Sequence, residues 1–217
     1  MLNASHYTTL LFDLDGTITD SGEGIMRCAQ HALRKMGIDI PDYTTLRPFI
    51  GPPLEDSFKE FFNMSDVDAA KAVEAYRERY FSTGVYEQQL YEGVEIMLNK
   101  LKTKGYRLII ATSKTKQQAE FVVNQFGLAN YFDFIGGRDE EGTLHTKADV
   151  IRYILKEKEL TAEECLMIGD RKFDIEGAQE CSIKSIGVMW GYGSREEFEK
   201  AGADHIINSI EELTQSL

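Results

Sequence analysis

An α/β fold, a Rossmann-like parallel sheet carrying an inserted small all-helical domain, is predicted by three features of the chain. From residue 93 onward, short apolar runs of strand length alternate with amphipathic helical segments, the pattern of a parallel sheet covered on both faces. One further apolar run, Thr9-Leu10-Leu11-Phe12, stands far upstream of that alternation. The stretch between them, residues 22–84, has helical spacing and no strand-like run. The first strand therefore joins a sheet whose other strands follow a helical excursion. The expected division is 1–19 with 88–217 for the sheet domain and 20–87 for the helical one.

In chain order, Ile25, Cys28, Ala29, Ala32, Leu33 and Met36 recur at helical spacing, and Gly37 ends that helix. All four prolines fall in the next stretch, at Pro41, Pro48, Pro52 and Pro53, and mark loops. Pro53 is also suited to start a helix running to Phe62. Residues 66–82 form another helix, with Val67, Ala70, Val73, Tyr76, Tyr80 and Phe81 as its expected inner face. Helices follow over 93–104, 116–126, 147–158, 173–181, 195–201 and from Ile210. Strands are expected over 106–111, 132–135, 165–168, 185–189 and 205–207. Gly105 and Gly127 are natural helix stops.

A chain of 217 residues holds one substantial core and a smaller accessory domain. Its apolar content of 42% and charged content of 28% are those of an ordinary globular protein. The formal charge of −12, with 24 basic against 36 acidic residues, argues against binding along a nucleic-acid backbone, which requires a basic stripe. It does not exclude a small phosphorylated substrate, because a cation and a few donors reverse the field locally. Cys28, Cys165 and Cys181 are few, odd in number and widely spaced, as expected of reduced thiols in a cytoplasm. No run approaches the roughly 20 apolar residues of a membrane span, and the start of the chain lacks the charge and apolar pattern of a secretory signal. The expected location is therefore cytoplasmic, with no membrane partner.

The first apolar run ends in Asp13-Leu14-Asp15-Gly16-Thr17. Two carboxylates at the C-terminal edge of a buried strand lie where open α/β sheets bind ligands. Like charges so close are costly without a cation. A hard divalent ion such as Mg²⁺, bound through oxygen, offsets that cost and also holds a phosphate. The string resembles DxDGT, the first motif of the haloacid dehalogenase superfamily, whose phosphatases carry further motifs in a set order. That resemblance implies that Asp13 is the nucleophile, forming an aspartyl-phosphate. It implies that Asp15 serves as general acid and base and ligates Mg²⁺ through its backbone carbonyl.

The later motifs follow in order. Thr112-Ser113, after the apolar run Arg107-Leu108-Ile109-Ile110-Ala111, places a hydroxyl at an expected strand-to-helix turn and resembles the second motif, which holds the phosphoryl group. Lys147, opening a helix with Asp149-Val150-Ile151, resembles the third, whose lysine balances phosphate and carboxylate charge. The usual Lys-Pro pair is Lys147-Ala148 here, and Lys114 is the rival. Gly169-Asp170-Arg171-Lys172-Phe173-Asp174 resembles the GDxxxD form of the fourth motif. Spacing i, i+4 sets the two aspartates on one helical face. The resemblance implies that Asp170 binds the metal and that Asp174 supports it, the alternative for Asp174 being a helix-start acid.

An insert between the first and second motifs is, in that family, a type-one cap, a lid that inspects the leaving group. Its expected hinges lie at 19–22 and 87–93. Arg47 and Gly51-Pro52-Pro53-Leu54 are the candidates for that inspection, because a fork-shaped cation on a stiff loop suits a carboxylate or second phosphate. The aromatics Phe58, Phe61, Phe62, Tyr76, Tyr80 and Phe81 are expected in the interior of this domain. His6, His31, His145 and His205 lack ligand spacing. The general texture resembles the phosphoglycolate phosphatase group, implying a small phosphorylated metabolite as partner and a monomer or weak homodimer. A 5'-nucleotidase, a β-phosphoglucomutase-like isomerase and a silent phosphate-binding module are the alternatives.

Overall fold

The computed structural model describes residues 6–139 and 142–217. Two compact units result, Met1–Ile18 with Leu90–Leu217, and Thr19–Gln89.

The first unit is built on a six-stranded sheet in the order β5-β4-β1-β6-β7-β8. Its strands are β1 (Thr9–Phe12), β4 (Arg107–Thr115), β5 (Phe134–Arg138), β6 (Cys165–Gly169), β7 (Lys184–Val188) and β8 (His205–Ile207). Every neighbouring pair is parallel. The crossover helices are α4 (Val94–Thr103), α5 (Lys116–Gln125), α6 (Lys147–Glu157), α7 (Lys172–Glu180) and α8 (Arg195–Ala201), and α9 (Ile210–Ser216) follows the last strand. Such a sheet must be apolar on both faces. Leu10, Leu11 and Phe12 are accordingly fully buried, as are Leu108, Ile109 and Ile110 opposite them. One face packs Leu11, Ile109, Ala111 and Met167 against Val150, Ile151 and Ile154 of α6 and Ala178 of α7.

The strand order places the site. From β4 the chain moves outward to β5, then returns past β1 to β6 on the other side. The reversal makes the C-terminal end of β1 a topological switch point, where diverging loops leave a crevice. Phe12 pairs with Ile110 and with Ile168, so Asp13 and Asp170 leave the sheet, and Thr112 of β4 lies, at one edge.

The second unit holds α1 (Gly22–Lys35), α2 (Leu54–Phe62) and α3 (Asp66–Ser82). Pro53 immediately precedes α2, as its sequence position suggested. Its interior is aromatic: Phe49 meets Phe58 edge-on at 4.9 Å, and Tyr76 stacks on Tyr80 at 5.8 Å. Three local expectations are corrected. The stretch Tyr43–Phe49 is a 3-10 helix rather than a loop, started by Asp42 accepting from the Thr44 N–H. The inner face of α3 is Ala69, Ala72, Val73, Tyr76 and Tyr80. Val67, in the first turn, Ala70 and Phe81 fall off that stripe and are exposed, as is Phe61 of α2. Finally, β2 (Thr19–Asp20) and β3 (Gln89–Leu90) pair as a two-stranded ribbon where only connecting chain was expected. Two-residue strands leave no periodicity to read.

Among the described residues no helix is long and apolar enough to cross a membrane. All three cysteines are free.

Candidate active site

Asp13 follows the last residue of β1, and its N–H donates to Ile168 O of β6 at 2.9 Å. Asp170 follows β6, and Asp174 lies in the first turn of α7. One carboxylate oxygen from each of the three lies within 4.8 Å of the others, and all three residues are buried. Burial raises the Asp13 carboxyl to about 6: the nearby Lys147 opposes the rise, while Asp174 and Asp15 add to it. Asp170 is raised well above its ordinary value, first by burial and then by the charges of Asp174 and Asp13.

Asp170 is held from two sides. Its Oδ2 accepts from the Tyr192 N–H at 2.8 Å, and its Oδ1 lies 3.4 Å from the Thr17 hydroxyl. Gly16 explains its own identity: its φ is +87°, and a Cβ there would stand 2.1 Å from Asp170 Oδ2. Asp174 fills the helix-start role considered for it and makes an ion pair besides. Its Oδ2 accepts from the Arg171 N–H at 3.0 Å, closing the start of α7, while its Oδ1 pairs with Lys147.

Lys147 is the first residue of α6, fixed there by a capping box between Thr146 and Asp149. Its Nζ lies 2.8 Å from Asp13 Oδ1 and 2.8 Å from Asp174 Oδ1, and donates to Ala111 O at 2.9 Å. Burial works against its charge, but Asp13 and Asp174 outweigh burial and hold the ammonium above its ordinary range.

The rival lysine occupies a different place. Lys114 Nζ donates to both carboxylate oxygens of Asp15, at 2.8 and 2.7 Å. The second motif differs from expectation: β4 runs on to Thr115, which is itself the N-cap of α5, so Thr112 and Ser113 belong to the strand and not to a helix start. An irregular register between Ala111 and Thr115 accounts for the difference, because a bulge lengthens the strand by residues that read as a turn. Thr112 is buried and its Oγ1 accepts from the Lys114 N–H at 3.2 Å; Ser113 is half-buried. Arg47 lies exposed in the 3-10 helix of the other unit.

Sequence reasoning missed two contributors. Trp190 follows β7, and its indole N–H donates to Thr17 O at 3.0 Å, fixing the loop after Asp15. Gly177 leaves room for the Lys147 stem, since a Cβ there would meet Lys147 Cγ at 2.8 Å. A glycine inside a helix is a legible signal of close approach, though not of what approaches. Trp190 carried no such mark.

The donor set is three buried carboxylates against one ammonium, all hard oxygen on the anionic side. It fits a divalent cation better than it fits itself, since burial, with the neighbouring carboxylates adding to it, disfavours the charges of Asp13 and Asp170, and an added cation would offset both.

The haloacid dehalogenase-like hydrolase family model matches residues 10–188. A 5'-nucleotidase of Pseudomonas aeruginosa is 40% identical over 214 residues, covering 99% of this chain and 97% of the relative. A phosphoglycolate phosphatase of Colwellia psychrerythraea is 27% identical, covering 96% of each chain. The crystal structure of a predicted phosphatase from Clostridium acetobutylicum superposes with a TM-score of 0.95 at 42% identity, covering 96% of this chain and 97% of that one. The chain belongs to the haloacid dehalogenase-like hydrolase family and is a phosphatase of that family.

Proposed function

We propose that this chain hydrolyses a small phosphate monoester in two displacements, with Asp13 as nucleophile. The observation that carries the reading is Lys147: one buried ammonium lies 2.8 Å from Asp13 Oδ1 and 2.8 Å from Asp174 Oδ1, beside the third carboxylate of the cluster. It keeps Asp13 anionic in a buried place and faces the position an incoming phosphoryl group would take.

In the first displacement an Asp13 carboxylate oxygen forms a bond to phosphorus while the ester P–O bond breaks, and the leaving alcohol takes its proton from Asp15. In the second, water bonds to phosphorus and gives a proton back to Asp15. The bond to Asp13 breaks, and inorganic phosphate leaves. Thr112, Ser113 and Lys147 are assigned to the phosphoryl oxygens. Mg²⁺ is the proposed cation; Asp13, Asp170 and the Asp15 main-chain carbonyl would hold it, with Asp174 in support. When bound, it supplies positive charge against the phosphate oxygens.

The helical unit, with Arg47, is assigned the choice of leaving group. Two substrate classes compete. A phosphoglycolate-like metabolite follows from the general texture of the sequence, whereas the relative with the higher identity is named a 5'-nucleotidase. That observation favours nucleoside monophosphates. A panel of nucleoside monophosphates, phosphoglycolate and sugar phosphates, compared by kcat/KM with Mg²⁺ and by phosphate release, decides between them. Highest kcat/KM on a nucleotide supports the nucleotidase reading, and highest on phosphoglycolate restores the other. An isomerised sugar phosphate without free phosphate would overturn hydrolysis.

A further inference from the structure

The second lysine is left without a task by this mechanism, yet it is as firmly built in as the first. The side chains of Lys114 and Asp15 are only 6% and 12% exposed, and the two contacts between them are 2.8 and 2.7 Å. The backbone on which Lys114 rides is fixed on both sides. Its own N–H is bound to Thr112 Oγ1, and Thr115, next in the chain, rejoins the β5 register opposite Arg138 and caps α5. Asp15, by contrast, lies beyond the end of β1 and immediately before Gly16 with its φ of +87°. Two charge-assisted hydrogen bonds from one ammonium, one to each oxygen, fix the direction of a carboxylate strongly. Lys147 does not do this, since its contacts go to Asp13, Asp174 and Ala111 O.

We propose that Lys114 is the positioning residue for Asp15: a cation carried by the irregular end of β4 that aims the Asp15 carboxylate at the leaving oxygen. The two lysines thus divide the two carboxylates of the first motif, Lys147 serving the phosphorus side and Lys114 the leaving-group side. The inference rests on reading Asp15 as the proton donor. As the ester bond breaks, the Asp15 O–H proton passes to the departing alkoxide oxygen, and the carboxylate left behind is the one Lys114 holds.

Proton donation matters for an alkyl ester, whose alkoxide leaves poorly, and little for p-nitrophenyl phosphate, whose phenolate leaves without it. The test therefore compares kcat/KM on the two esters for the wild type, Lys114→Met, Lys114→Arg, Asp15→Asn and the Asp15→Asn/Lys114→Met pair, with Mg²⁺ saturating. Lys114→Met is expected to lower the alkyl ester about 10²-fold and the aryl ester less than about 10-fold, following the selectivity of Asp15→Asn. Lys114→Arg, whose fork fits a carboxylate, is expected to recover part of the loss. The double variant is expected to be no worse than Asp15→Asn alone, because both remove one function. If Lys114→Met unfolds, Lys114→Gln, which keeps a donor, takes its place under the same criterion. Equal losses on both esters for Lys114→Met, with Asp15→Asn still selective, would overturn the inference and leave the mechanism standing. An Asp15→Asn variant that keeps the wild-type ratio would remove the proton donor and overturn both.

Discussion

The two units of this chain divide the chemistry unequally. In the sheet unit the buried charged side chains, among the described residues, are those of the candidate site: Asp13, Asp15, Lys147, Asp170 and Asp174 all lie below a tenth of full exposure. In the helical unit the interior is aromatic, and the strongest polar feature is structural. Arg79 pairs with both oxygens of Glu87, at 2.7 and 2.8 Å, and lies 3.3 Å from Cys28 Sγ. Buried carboxylates that repel one another are a burden a fold keeps only for a use. An aromatic interior is what any small helical domain needs. The contrast teaches that the groups able to make and break bonds are gathered in the sheet unit, while the interior of the helical unit serves its own packing.

The sharpest way to break that contrast is at Asp13. Asp13→Asn keeps the shape and removes the nucleophile, and phosphate release is expected to fall by at least about 10³-fold on every ester tested. Replacing Lys147 by Met leaves buried carboxylates without their ammonium. We expect a loss of about 10²-fold or more in kcat and weaker folding, read by phosphate release and by thermal melting.

The contrast also sets a pH dependence. Burial raises Asp13 to about 6 and Asp170 well above its ordinary value of 3.8. Groups raised in the folded state favour folding at pH below their unfolded values, and that contribution is lost as pH rises through the folded ones. A cation bound to the ionised carboxylates counters the loss. The rise in Tm on adding Mg²⁺ in place of EDTA is therefore expected to be small near pH 4 and to grow through pH 6 and above. A gain independent of pH would contradict the assignment of the cation to these carboxylates.

Smaller effects are expected in the helical unit. Arg47→Met is expected to change the ratio of kcat/KM between two natural-type phosphate esters by about 10-fold while leaving p-nitrophenyl phosphate nearly untouched. Arg79→Met is expected to cost about 2 kcal/mol of stability, read by denaturant melting, with little change in kcat.

Much of this was legible in the sequence, because the signals were of the kinds that a one-dimensional pattern carries. Strand runs ending in Asp13 and Asp170 announced the sheet edge; Asp170 and Asp174 do converge, but not on one helical face as their i, i+4 spacing suggested, because α7 starts only at Lys172 and Asp170 lies before it. What escaped depended on three dimensions. The extension of β4 through Thr112 and Ser113 follows from a register irregularity against β5, which no local spacing encodes. The sharing of tasks between Lys114 and Lys147 depends on which carboxylate each side chain reaches. Trp190 acts through its bond to Thr17 O, 173 residues away in the chain. On α3, Val67 and Phe81 were assigned inward on apolar character alone, whereas the helix phase turned them outward.

The central claim is that the phosphoryl group rests on Asp13 between the two displacements. The direct measurement is rapid acid quench of a turnover begun with radiolabelled phosphate ester and Mg²⁺, followed by digestion and mass mapping of the labelled peptide. A hydroxylamine-sensitive label on Asp13, absent in Asp13→Asn, is the predicted result. Label on another residue, or full turnover with none on the protein at any quench time, would contradict it.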